Sequence, residues 1–197
     1  QLEILFSTEG SFSYLDSFVE VSEQELKKIS ALKTPNKVLA VFKIPDKETV
    51  MPYGLTLALD SINDPGNLGT IIRLCDWFGI EQLICSKDTV DCYNAKVVQA
   101  SMGSLTRMNI IYTDLLDYFN DSSLPIFIAD MDGENVYNSK LPSEAILIMG
   151  NEANGVSDKI RAVITDKISI PRFGNSQETE SLNVATATAI LLSEFRR

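Results

Sequence analysis

The sequence has no histidine, which removes the usual general base near neutral pH, the commonest zinc ligand and every Ser–His or Cys–His catalytic arrangement. Cysteine is scarce. Cys75, Cys85 and Cys92 are odd in number and lack C-x-x-C spacing, so free thiols are expected, with neither a disulfide framework nor a zinc site. Long apolar runs are missing too: no window approaches about 18 uninterrupted apolar residues. The stretch Gln1–Glu20 lacks the basic start and apolar middle of a secretory signal. A cytoplasmic protein without a membrane span is therefore expected. Positive charge is in deficit, with 17 Lys+Arg against 27 Asp+Glu and a net charge of -10. That excludes coating of nucleic acid through bulk charge and leaves room for a local phosphate site. No G-x-G-x-x-G occurs, and no Lys followed by Ser or Thr closes a P-loop. The chain opens on Gln1 instead of Met, so native N-terminal sequence is expected to precede it.

What is present is an ordinary globular composition: 197 residues, 45% hydrophobic, enough for one good core and a smaller appendage. Ser22 and Glu25 stand in capping-box spacing and predict a helix over 22–32, followed by a strand over Val38–Phe42. The segment 44–52 carries two prolines and a run of charges, the composition of a linker. The chain is accordingly divided into 1–52 and 53–197. Beyond the linker, strands at 55–59, 82–85, 107–112, 126–129, 145–149 and 167–170 alternate with helices at 68–78, 94–102, 114–119, 157–164 and 180–195. This alternation predicts an α/β domain with a largely parallel sheet.

Ligands of such sheets sit beyond the carboxyl ends of the strands, and three loops there are unusual. In the first, Asp60 to Gly69, Gly66 and Gly69 permit close backbone approach and positive φ. The following helix N-terminus offers N–H groups to an anion, and Arg73 lies inside that helix. The bland alternative is a tight strand-to-helix turn with Arg73 on a solvated face. The second, Gly150-Asn151-Glu152-Ala153-Asn154-Gly155, places a carboxylate beside two asparagines before Ser157 caps a helix. It reads either as a polar site or as a turn. In the third, Pro171 to Asn183, Pro171 and Gly174 frame a bend, and Ser181 opens or caps a helix of small residues. Trp77, Phe78, Tyr118 and Phe119 are expected in core or interface. The acidic run Asp114, Asp117, Asp121, Asp130, Asp132 and Glu134 is expected on solvated surface.

Together the three loops resemble the signature motifs of the SpoU (TrmH-like) branch of the SPOUT RNA 2'-O-ribose methyltransferases. Motif one is seen in Asn63-Asp64-Pro65-Gly66-Asn67-Leu68-Gly69-Thr70-Ile71-Ile72-Arg73, and motif two in Ile148 to Ser157. Motif three is seen in Ile170-Pro171 through Ser181-Leu182-Asn183-Val184-Ala185. The resemblance covers about Tyr53 to Arg197. It departs from the family pattern at Arg172, where Met is common, at Ala185, where Ser is common, and at Gln99, where many members carry a basic residue.

The resemblance implies an α/β fold with a C-terminal trefoil knot, S-adenosylmethionine as cofactor, no metal, tRNA or rRNA as partner, and a homodimer. It also implies that the first fifty or so residues are part of an N-terminal α/β substrate-recognition domain. Under it, Asn63, Arg73, Glu152, Ser181 and Asn183 form the catalytic set. Met149, Gly150, Asn151, Ile170, Leu182 and Asn183 line the cofactor. Arg73 would bind a phosphate and favour alkoxide charge, Asn63 and Asn183 would position it and the ribose, and Glu152 would orient the guanidinium. RNA contact is expected at a focused patch of Arg73, Arg172, Arg196 and Arg197. Two other classes compete: a non-catalytic RNA-binding or assembly factor on the same fold, for which Arg73→Ala changes little, and another α/β nucleotide-binding enzyme, which would bind ATP or NAD.

Overall fold

The computed structural model describes residues 1–45, 53–80, 82–174 and 181–197. They form two compact units, Gln1–Glu48 and Thr49–Arg197. The expected boundary at 52/53 and most of the expected linker lie outside the described residues.

The first unit is a three-stranded sheet with one helix. Strand β1 (Leu2–Ser7) lies between β2 (Phe18–Glu20), parallel to it, and β3 (Val38–Phe42), antiparallel. Neither β1 nor β2 was expected. Helix α1 (Glu23–Ile29) has the predicted capping box, with Ser22 accepting from the Glu25 N–H and the Glu25 carboxylate accepting from the Ser22 N–H. It stops short of Leu32 because Ser30 turns to extended backbone and its hydroxyl accepts from the Leu32 N–H, a local bond that competes with the helix.

The second unit is the predicted α/β layer. Its strands are β4 (Leu55–Asp60), β5 (Gln82–Ser86), β6 (Asn109–Thr113), β7 (Ile126–Asn135), β8 (Ala145–Gly150) and β9 (Lys167–Ser169), all paired in parallel in the order β6-β5-β4-β8-β7-β9. Every residue of β4 and β5 is buried, as a sheet covered on both faces requires. Alternation along the strands sorts the side chains. Leu57, Leu59, Leu83, Leu147 and Met149 join a core with α2 (Pro65–Phe78), α3 (Ala95–Ala100) and α6 (Val184–Phe195). Ala58, Ile84, Ile128, Ile146 and Ile148 join a second with α4 (Leu115–Asn120) and α5 (Asp158–Arg161).

In this unit three helices are shorter than expected. Helix α3 ends at Ala100 as Met102 takes φ 51°, a left-handed conformation that a helix cannot continue through. Helix α5 is a single turn. Helix α6 begins at Val184 because Asn183, and not Ser181, is its cap, accepting from the Ala185 and Thr186 N–H groups. Gly69 does permit close approach, but toward α3: a methyl there would lie 2.5 Å from the Ala100 Cβ. Neither Gly66 nor Gly69 has positive φ.

Candidate active site

Two of the three motif loops start side by side because Asp60 and Gly150 are register partners at the ends of neighbouring strands β4 and β8. Two further bonds lock them. The Asn151 amide donates to the Ser61 carbonyl at 2.7 Å, and the Ser157 N–H donates to the buried Asp60 carboxylate at 2.7 Å. Asn151 also shapes its own loop: its side-chain oxygen accepts from the Ala153 and Asn154 N–H groups, and its backbone exchanges two hydrogen bonds with Gly155. Its side chain is therefore committed to the loop.

The α2 N-terminus offers few N–H donors. Asp64 is its cap, with its carboxylate accepting from the Asn67 N–H at 2.7 Å, and Pro65 supplies no N–H. An anion at this helix end would meet the Asp64 carboxylate and, of the first three positions, the Gly66 N–H at most.

A hydrogen-bonded relay joins the three motifs. The Asn183 amide donates to the Asn67 side-chain oxygen at 2.9 Å, and the Asn67 amide donates to the Glu152 carboxylate at 2.7 Å. Glu152 and Asn183 are thus brought together through Asn67, a motif-one residue outside the expected catalytic set. Its place beside a proline, a glycine and a capping Asp read as a turn residue. No bond joins Glu152 to Arg73; one Glu152 oxygen accepts from Asn67 instead. Arg73 is exposed on α2 and bonds to no described residue; it lines a groove with Thr70, Leu74, Asp76, Trp77 and Ser104. Thr70 and Leu74 also line the groove that holds Asn67 and Asn183, so guanidinium and relay share a wall. Asn63 and Ser181 are exposed and bond to no described residue.

Of the residues expected to hold the cofactor, Met149 is buried, Gly150 and Ile170 are half-buried, and Leu182 is exposed just ahead of α6. Gly150 has no room for a side chain: a methyl there would lie 2.2 Å from the Gly155 carbonyl carbon and the Val156 nitrogen.

Three members of the expected basic patch have partners within the chain. Arg196 donates to the Phe78 and Gly79 carbonyls at the end of α2, and Arg197 pairs with Glu194. Arg172 contacts the Met131 sulfur. The acidic run is not all solvated surface either. Asp114 caps α4, and the Asp130 carboxylate is only 8% exposed, paired with Arg161 and Lys167. Tyr118 and Phe119 are in the core as expected, while Trp77 is 84% exposed. Cys75, Cys85 and Cys92 are buried free thiols, and burial pushes the Cys75 thiol up, which leaves it inert as a nucleophile. Among the described residues no acidic, Cys or His group clusters to hold a metal ion, and no helix is long and apolar enough to cross a membrane.

The SpoU rRNA methylase family matches residues 54–193. A 23S rRNA (guanosine(2553)-2'-O)-methyltransferase, RlmP of Bacillus subtilis, is 29% identical over 180 residues, which are 89% of this chain and 71% of that protein. A 23S rRNA (guanosine-2'-O-)-methyltransferase, RlmB of Neisseria meningitidis, is 35% identical over 73% of this chain, and the match spans 58% of that protein. Among solved structures, a TrmH-family protein from Porphyromonas gingivalis superposes with a TM-score of 0.89 at 40% identity, covering 99% of this chain and 82% of that one. An AdoMet-bound rRNA methyltransferase from Sinorhizobium meliloti superposes with a TM-score of 0.84 at 26% identity, covering 99% of this chain and 79% of that one. With the three motifs on one end of an all-parallel sheet and the family match spanning 54–193, the chain belongs to the SpoU rRNA methylase family.

Proposed function

We propose that this chain transfers a methyl group from S-adenosylmethionine to a ribose 2'-oxygen of ribosomal or transfer RNA. The observation that carries the reading is the Asn183–Asn67–Glu152 relay, which ties together side chains from three distant motifs. Glu152 and Asn183 are exposed and Asn67 half-buried, so the relay holds polar groups at the surface where a substrate can meet them. The AdoMet-bound relative supports the cofactor. The residues present fit it: strand-end backbone at Gly150, backbone just past β9 at Ile170, and apolar side chains of Met149, Ile170 and Leu182.

When bound, the cofactor supplies a methyl group already activated on a sulfonium, so the protein's part is alignment and charge. Arg73, unengaged by described residues, binds an RNA phosphate and favours negative charge developing on the ribose oxygen. Asn67 fixes the Glu152 carboxylate and Asn183 relative to each other. Asn63 and Ser181, exposed on the same loops, contact the ribose. The first unit is the RNA-recognition part, and the C-terminal segment threads the family's knot. Three free thiols suit the reducing cytoplasm.

A calorimetric titration of S-adenosylmethionine into the chain, followed by tritium transfer to total RNA lacking the modification, tests this. Saturation near one per chain with label in 2'-O-methylated nucleotides is the expected result. Binding of ATP or NAD in place of S-adenosylmethionine would replace the reading with another nucleotide enzyme.

The active form is a homodimer joined through the α2–α3 side. Trp77 on α2 is 84% exposed and Met102, just past α3, is 74% exposed, an apolar load that a lone chain leaves in water. Trp77 is the only tryptophan, so its emission reports this face directly. Sedimentation is expected to give twice the chain mass, with emission moving to the red on dilution. Trp77→Arg is expected to give a monomer, and a wild-type monomer at micromolar concentration would refute the dimer.

A further inference from the structure

The Glu152 loop is held from below as well as from β4. Arg161, at the end of α5, donates from Nε to the Val156 carbonyl at 2.7 Å and from Nη1 to the Asp130 carboxylate on β7. Its other terminal nitrogen fills the space beside Gly155, where a methyl group would lie 2.8 Å from it. Gly155 closes the loop by its two bonds to Asn151, at φ 67°. One planar guanidinium thus spans the loop's closing residues and a neighbouring strand. Asp130 is a firm anchor: Lys167 also pairs with it at 3.1 Å, and the Asp132 N–H donates to it. Burial pushes its carboxyl up, but these groups and Arg161 outweigh that and hold it below the usual carboxylate range.

We propose that Arg161 and Asp130 are positioning residues for methyl transfer, acting through the loop that presents Glu152 to Asn67. They touch none of the relay side chains. Gly150 is fixed independently by its register with Asp60, so cofactor affinity does not depend on the brace, whereas the Glu152 tip does. The fork geometry is essential, because a lysine ammonium at 161 would pair with Asp130 as a point charge but could not also serve the Val156 carbonyl in the same plane.

The kinetic arm of the test rests on the methyl-transfer reading; the exchange arm does not. In Arg161→Lys, which keeps the charge facing Asp130, the amides of Ala153, Asn154 and Gly155 are expected to exchange hydrogen about tenfold faster or more, with sheet amides unchanged. Turnover is expected to fall about tenfold with cofactor Kd within about twofold, and the same change in a Glu152→Ala background to add less than about twofold. Asp130→Asn, which removes the anchor's charge and keeps its shape, is expected to give the same pattern. Unchanged loop exchange, or a full tenfold loss persisting without Glu152, would overturn the proposal. A wild-type chain that methylates no RNA would refute the activity while leaving the exchange result to judge the brace.

Discussion

Arg73→Ala is expected to lower methyl transfer by about 10²–10³-fold, the loss that follows removal of one strong charge-stabilising donor from an active site, while the chain folds and binds S-adenosylmethionine as before. The fold is spared because Arg73 is exposed and bonds to no described residue. Cofactor binding is spared because the backbone assigned to it lies at the end of β8, past β9 and ahead of α6. Arg73→Lys separates charge from geometry: an ammonium retains attraction for phosphate but not the two-pronged donation of a guanidinium, so less than about a tenth of the rate is expected to survive, a drop of at least about 1.4 kcal/mol in transition-state stabilisation. Single-turnover rates at saturating cofactor measure both. A variant with alanine at 73 that keeps most of the rate would remove Arg73 from the site and favour the non-catalytic RNA-binding reading. A guanidinium offers five N–H donors and no acceptor, so the role of Arg73 is charge stabilisation and not proton transfer.

The loops that carry this site were visible in the sequence because each is a contiguous run with its own turn chemistry, following an apolar strand. The six-stranded layer was visible for the same reason: β8 is a continuous apolar run and β4 and β5 are mostly apolar, the mark of strands buried on both faces. The relay was not visible. It depends on side chains of Asn67, Glu152 and Asn183 that meet only when β4 and β8 pair and α6 docks, and no local pattern distinguishes Asn67 from a turn asparagine. The buried Asp130 was misplaced for a related reason: a carboxylate in an acidic run reads as solvated, and only the distant Arg161 and Lys167 explain why it is inside. In the first unit, β2 is three residues long and β1 lacks clean alternation, with Glu3 and Ile4 both exposed beside buried Leu5. Pairing with β3, a long-range event, makes them strands. Helix ends failed where one side chain decided the matter, as with Ser30 and Asn183.

Gly150→Ala is the second large effect, and it should remove cofactor binding and activity together. The added methyl would sit 2.2 Å from backbone atoms of Gly155 and Val156, well inside contact distance, and backbone cannot rotate away as a side-chain tip can. Relief requires the loop to lift from the end of β8. Lifting it strains the Asn151–Gly155 pairing, the Asn151 bond to Ser61 and the Arg161 bond to Val156 at once. Overpacking of this kind costs about 1–3 kcal/mol, and in a domain of this size each kcal/mol lowers Tm by about 2–4 °C, so a fall of about 2–12 °C is expected. The chain should remain folded, because the loop is a small part of a unit whose two cores lie on the sheet faces. Glu152 leaves Asn67 as the loop moves, and the strand-end backbone assigned to the cofactor is displaced with it. Calorimetry should therefore show no saturable binding of S-adenosylmethionine, in contrast to Arg73→Ala. The contrast separates the two halves of the site: a variant at 73 that binds without turning over, and one at 150 that does neither. Normal binding in Gly150→Ala would mean that the loop yields without moving the cofactor's contacts and that Gly150 is required for packing alone.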